Sequence, residues 1–475
     1  MTNNHQLDSQ AMRKQVYEAL KLWSKDIVTE NPLSNLKLSK AAQQAQAGDI
    51  QRILHTVLDR GLQVLSSDDP LEAKILRLHF QKGELVQNIA AQLNLAEGTT
   101  YNKQSGAIDH LAKILYGMEM RIEHRCTQLQ RLNPPSYLHL VGVDEHLTHL
   151  VDLLCAPTAS WLVAIAGMGG MGKTSLADAL MRRIIELDVY DDVGWITAQQ
   201  QQFSLGGRIR DVEQPALSIE ALVRALIEQL MPDVPIVESA SADELLAILG
   251  TKLQEQPHLI VIDNLETLVD IESLVATLRT LANPTRFLLT SRESLFSEPD
   301  VYHFPLPELT ETLTLALVRQ EAKQRNLHHL LAASDTALQP IVETVGGNPL
   351  AIRLVVGQTH VHSLDMILEN LRSARGQKIE NLYTYIYRQA WDALDEIARR
   401  TLLVMPLVSS VGGTLAHIQK VSQLDLSDLI EALEHLVRVN LVDSRGDLNE
   451  RRYAIHNLTT TFLHEQVIRW GVAAD

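Results

Sequence analysis

The chain has 475 residues, length for three or four domains, and its 45% hydrophobic and 21% charged content is that of a globular protein whose 4% aromatics favour helical packing over a β-sandwich. Two cysteines, Cys126 and Cys155, exclude a disulfide framework and a self-contained four-ligand zinc site; no secretory leader and no run of ~18 apolar residues is visible, so a cytoplasmic location without a membrane span is expected. The net charge is −16, yet residues 1–135 hold 16 basic and 14 acidic side chains, so any nucleic-acid contact belongs at the amino-terminal end.

In chain order, residues 9–27 and 49–66 read as amphipathic helices, with breaks at Gly48–Asp49 and Ser66–Pro70. Three helices follow near 71–81, 84–93 and 97–116, turning at Lys82–Gly83 and Asn94–Ala96. A linker falls around Asn133–Pro135, then a strand or loop opens a helix over 141–154. WLVAIAG (161–167) is a continuous apolar run, as a parallel strand buried on both faces requires. Strand-like runs recur at 193–198, 259–263 and 286–290, separated by helical stretches such as 217–230 and 242–255. The alternation predicts an α/β domain, a parallel sheet with helices on both faces. Helices are expected at 309–325, 334–357 and 364–375, and the block 380–475 reads as helical with a short β-like end, LVDSRGDLNERRYAIH. The domains expected are 1–133, a helical module with a helix-turn-helix at about 70–117; 138–307, an NTPase domain; 308–378, helical; and 379–475.

GMGGMGKTS fits G-x-x-x-x-G-K-[ST] between an apolar strand and a helical pattern, the context that makes the motif specific. Glycines here let backbone N–H groups turn inward as a phosphate cradle, and the following helix adds its positive dipole end. Gly167, Gly169, Gly170, Met171, Gly172, Lys173, Thr174 and Ser175 are therefore expected to bind ATP or ADP. Lys173 would neutralise the β- and γ-phosphates, and Thr174 would ligate Mg2+. LIVIDNLE (259–266) ends an apolar strand in Asp263, a second magnesium ligand. RFLLTSR (286–292) brings Arg292 to a strand end, where a cation can read the γ-phosphate. His328–His329 and His360/His362 lack the company of a metal site, and Trp161, Trp195 and Trp391 read as core.

This set resembles the NB-ARC branch of the STAND signal-transduction NTPases, over roughly residues 138–470. Val141–Gly142 is similar to the family's adenine-side lead-in, and GWITA (194–198) to the strand after the first helix. GGNPLA (346–351) is similar to its G-x-P-L-A motif, which implies that Pro349 packs on the base; YAIHNLTTTFL (453–463) resembles its winged-helix motif, which implies that His456 reaches the β-phosphate of ADP. The resemblance implies a winged helix at 379–475 and a switch: ADP keeps the domains closed, and ATP opens them for homo-oligomerisation in answer to an unknown trigger. Two departures stand out. Asn264 occupies the place of a second acid and cannot accept a proton, so Glu266 substitutes or hydrolysis is slow. Asn457 follows His456 where Asp is usual. The resemblance also implies a carboxy-terminal repeat sensor, and no internal repeat is present in these residues.

Residues 70–117 resemble the helix-turn-helix of sigma-factor region 4, which implies that 97–116 is a recognition helix presenting Thr99, Thr100, Lys103 and Gln104 to duplex DNA. That reading implies transcription regulation; against it, Glu97 opens the helix and the local charge is thin, so the alternative is a defence-type signalling ATPase whose amino-terminal module is a protein adaptor that does not bind DNA.

Overall fold

The computed structural model describes residues 9–25, 30–45, 49–132, 135, 137, 139–198, 201–204, 208–211, 218–235, 240–265, 271–372, 382, 387, 391–392, 394–408, 412–439, 441–446, 451–455, 459 and 463. It comprises two compact units, residues 1–130 and 131–475. Among the described residues no helix is long and apolar enough to cross a membrane.

The first unit is all helical: α1 (Ser9–Leu22), α2 (Lys37–Ala45), α3 (Ile50–Asp68), α4 (Pro70–Leu76), a π-turn over Arg77–Gln81, α5 (Val86–Gln92) and α6 (Glu97–Gln130). Its core joins Val16 and Leu20 of α1, Leu58 and Leu62 of α3, and Leu111 and Leu115 of α6. The turns predicted at Gly83 and Asn94 take left-handed backbone, φ 72° and 52°. Two expectations are corrected. The helix expected over 97–116 continues to Gln130. Of the four side chains expected to face a groove, Thr99 is exposed and Lys103 half-buried, but Thr100 and Gln104 are buried. The reason is helical period: 100, 104, 107, 108, 111 and 115 form one stripe, and that stripe packs on the core.

The second unit is built on a five-stranded parallel sheet in the order β2 (Asp192–Thr197), β5 (His258–Asp263), β6 (Arg286–Ser291), β1 (Leu162–Ala166), β7 (Val301–Pro305). Alternate residues of each strand serve opposite faces. Val163, Ile165, Val261 and Leu288 pack towards α7 (Asp144–Cys155) and α8 (Lys173–Leu187). Leu162, Ala164, Ile260, Ile262 and Leu289 pack towards α9 (Ile219–Leu230), α10 (Ala242–Glu255) and α11 (Ile271–Leu281). Burial on both faces explains the unbroken apolar runs of β1 and β5. Edge strand β7 and the polar hairpin β3 (Gln201–Ser204) and β4 (Arg208–Asp211) have no such run and are not legible in sequence.

Beyond the sheet lie α12 (Glu311–Gln324), α13 (His328–Ala332), α14 (Asp335–Val345), α15 (Pro349–Gln358) and α16 (Leu364–Arg372). The single helix expected over 334–357 is two, broken at Gly346–Asn348. Further helices, Glu396–Val404, Leu415–Ser422 and Leu426–Arg438, accompany a three-stranded antiparallel sheet of β8 (Gly413–Thr414), β10 (Arg451–Ala454) and β9 (Asp443–Gly446). Leu402, Ile418 and Leu436 there share one apolar core with Val163, Val318 and Ile352.

Candidate nucleotide site

The carboxyl ends of the parallel strands converge, where open α/β sheets hold ligands. The P-loop leaves β1 with the Gly167 N–H donating to Ser291 O of β6 at 3.3 Å. Gly172 then caps α8 at φ 96°, a left-handed conformation that a side chain rarely adopts. A Cβ at Gly172 would meet nothing within 4 Å, so the cradle keeps open room beside it. Gly170 is confined differently: φ is 83°, and a Cβ would stand 2.8 Å from Leu350 Cβ and 2.9 Å from Asn348 Oδ1.

Lys173 is buried, and its ammonium donates to the carbonyls of Gly167 at 2.6 Å and Met168 at 3.1 Å. Asp263, at the end of β5, is 2% exposed. Its Oδ1 accepts the Thr174 hydroxyl at 2.7 Å and the Thr290 hydroxyl at 2.6 Å. Thr290 in turn accepts the Asn264 N–H at 3.0 Å, with Asn264 held at φ 63°. A threonine hydroxyl beside a carboxylate is the hard-oxygen donor set that a magnesium ion takes when phosphates and water complete its shell.

A cavity of about 560 Å³ opens over this floor. Val141, Gly142, Gly169, Gly170, Met171, Gly172, Lys173, Thr174, Ser175, Asn264, Arg292 and Pro349 all line it. Asp263 lies beneath, bonded to Thr174, and Gly167 lies behind, bonded to Lys173. Glu266 and His456 fall outside the described residues. Tyr137 also lines the cavity; its hydroxyl donates to Asp178 Oδ2 at 2.6 Å, and burial, with the Asp178 carboxylate beside it, pushes the phenol well above its ordinary value. It therefore stays a donor at neutral pH.

Sequence reasoning missed three residues here. Arg353 lines the cavity, ion-paired at 2.8 Å to Glu321, which is buried. Its signal was available: it stands one helical turn after Pro349, on the same face. Asn348, fully buried, caps α15 by accepting the Ala351 N–H at 3.1 Å and reaches the Gly169 carbonyl at 2.9 Å. Asn before Pro at a helix start signals the cap; the bond to the P-loop has no local signal.

These features define a P-loop nucleotide-binding domain, and comparison with known proteins agrees. Residues 139–290 match the AAA ATPase domain family. The probable disease resistance RPP8-like protein 2 of Arabidopsis thaliana is 25% identical over 258 residues, which are 54% of this chain and 27% of that protein. The TMV resistance protein N of Nicotiana glutinosa is 21% identical over 245 residues, 51% of this chain and 20% of that one. An uncharacterised WD repeat-containing protein of Nostoc is 23% identical over 339 residues, 66% of this chain and 26% of that protein. The matches thus span about a quarter of the relatives' length. Among solved structures, the ORC2 protein of Aeropyrum pernix superposes with a TM-score of 0.41 at 15% identity, covering 72% of this chain and 98% of that one. Residues 139–290 are thus a P-loop ATPase domain. Its motifs resemble the NB-ARC kind, and the relatives it matches include disease resistance proteins.

Proposed function

We propose that this chain is an ATP/ADP-dependent signalling switch that hydrolyses ATP slowly and homo-oligomerises on activation by a ligand or protein yet to be named. One observation carries the reading. The cavity is walled at once by the P-loop, by Val141–Gly142, by the strand-end residues Asn264 and Arg292, and by Pro349 of α15, so a nucleotide there touches segments that could separate. Two contacts support closure from further along the chain. The Ser294 N–H, just past Arg292, donates to Arg438 O at 2.6 Å. The hydroxyl of Thr459, within the segment read as a winged-helix motif, lies 3.7 Å from Met168 Sδ in the P-loop.

In this reading Lys173 neutralises the phosphates, Arg292 reads the γ-phosphate, Pro349 packs on the base and His456 reaches the β-phosphate of ADP. Thr174 and Asp263 hold magnesium, which when bound offsets charge on the β- and γ-phosphates. Asn264 offers no proton acceptor where a water would be activated, so nucleotide state rather than turnover is the output. Domains at 138–307, 308–378 and 379–475, the last a winged helix, move against one another, and 1–133 delivers the signal. The γ-phosphate supplies the differential contact that a population shift needs.

The purified chain is expected to carry ADP that denaturation releases, and to turn over ATP far more slowly than an ordinary enzyme's roughly 10 per second. Multiple turnovers per second by the chain alone, with no retained ADP, count against a switch and for a partner-coupled ATPase.

For the amino-terminal module, burial of Thr100 and Gln104 favours the adaptor reading over transcription regulation, since two of the four expected base contacts face the core. The disease-resistance names of the relatives support the same defence-type output. Duplex DNA binding at low salt that weakens as salt rises would restore the DNA reading.

A further inference from the structure

The first turn of α15 does more than cover the base. The Asn348 side chain is fully buried, and its orientation is fixed by its neighbours. Its Oδ1 accepts the Ala351 N–H at 3.1 Å, which leaves the amide nitrogen to donate to Gly169 O at 2.9 Å. Two positions further, the Leu350 N–H donates to Gly170 O at 3.3 Å. Two successive P-loop carbonyls are thus held from the start of α15, by residues on either side of Pro349. Across a planar trans peptide, a carbonyl and the next N–H point in opposite directions. Holding Gly169 O and Gly170 O towards α15 therefore aims the N–H groups of Gly170 and Met171 away from it. Those are the donors that a phosphate cradle presents. The close approach is built in: a Cβ at Gly170 would collide with both Leu350 and Asn348.

We infer that Asn348 is a positioning residue that sets the P-loop amides for phosphate, so that nucleotide affinity depends on α15 being docked and, by reciprocity, bound nucleotide holds α15 in place. This rests on the nucleotide-switch reading. It assigns the asparagine of GGNPLA a task separate from that of Pro349, and it makes α15 part of the phosphate site.

Asparagine is suited because one side chain supplies both an acceptor for the cap and a donor for the P-loop. Asp and Ser are equally good helix caps but lack that donor. Asn348→Asp sets an acceptor against Gly169 O; Asn348→Ser removes the donor without adding charge. The experiment measures ADP affinity, ADP dissociation rate and melting temperature for the full chain and for N348D, N348S and N348A, with K173A as the site control. The expected result is that N348D and N348S raise the ADP Kd about tenfold, the size of one lost buried hydrogen bond, through faster dissociation. The nucleotide-free melting temperature of N348S should stay within about 2 °C of the parent, because the cap survives, while N348A loses both affinity and stability and N348D, which buries a charge against a carbonyl, melts lower than N348S. ADP affinity unchanged within about twofold in N348D and N348S overturns the proposal. So does a melting temperature lowered as far in N348S as in N348A, which would make Asn348 a structural cap only. Failure of the parent chain itself to bind ADP overturns the nucleotide-switch reading along with this proposal; binding that K173A abolishes and Asn348 does not affect overturns this proposal alone.

Discussion

Asp263 gathers two hydroxyl protons on one oxygen, from Thr174 of α8 and Thr290 of β6. The carboxylate was legible in sequence because it ends an apolar strand after a P-loop. The Thr290 bridge was not, because it depends on the register of β5 against β6, in which Ile262 pairs with Leu289 and the next residues meet at the strand ends. An asparagine oxygen can accept the same two protons but carries no charge, which separates fold from metal binding. D263N is therefore expected to melt like the parent. Its ATP affinity with magnesium should fall by at least about tenfold, and its ADP affinity in EDTA should move by less than about twofold. Titrations with and without the metal check this; equal losses in both would mean that Asp263 shapes the P-loop rather than the cation site. Asn348 belongs to the same scale: its cap is local and readable, its second bond is neither.

Helices with local punctuation were readable, and those capped from afar were not. Asp69 closes α3 with its N–H on Leu65 O at 2.7 Å and opens α4, accepting the N–H groups of Leu71 and Glu72 at 2.9 and 3.0 Å ahead of Pro70. That junction is written in five consecutive residues, and the break at Ser66–Pro70 follows from them. D69A is expected to lower the unfolding free energy by roughly 1–2 kcal/mol in urea denaturation of the full chain; a change below about 0.3 kcal/mol would show that water replaces the cap without cost. Helix α2, by contrast, starts at Lys37 because the buried Glu119 of α6 accepts the N–H groups of Lys37 and Leu38 at 2.7 and 3.0 Å. No pattern near residue 37 announces an acceptor 82 residues away. The break at Gly346–Asn348 lies between the two cases: Asn348 before Pro349 is a local cap, but the apolar period runs through it, and the contact with the P-loop requires the chain to stop and restart there.

Across the 131–475 unit, burial holds several imidazoles neutral. His258, at the entrance to β5, donates from Nδ1 to Gln256 O at 2.8 Å, and its Nε2 is buried without a partner. Burial holds His258, His303 and His435 below the ordinary imidazole value near 6.5. A group whose folded value is depressed binds more protons unfolded, so its contribution is complete above that ordinary value and declines as pH falls through it. The melting temperature is expected to be level above about pH 7 and to drop towards pH 5.5, less steeply when His258 and His303 are both replaced by glutamine. A flat profile in the parent would show that these side chains reach solvent. The same unit shows where sequence and tertiary structure divide the work. Sequence by itself determined the phosphate loop, the strand-end positions of Asp263 and Arg292 and the parallel α/β class, because each rests on local chemistry: glycine dihedrals, a lysine at a helix start, apolar runs buried on two faces. Tertiary structure decided what those residues touch. It buried Thr100 and Gln104, split the helix after Val345, tied Asn348 to Gly169 and gathered P-loop, strand ends and α15 around one cavity. Hydrogen bonds across 179 residues are set by packing of whole elements, and no local pattern encodes that.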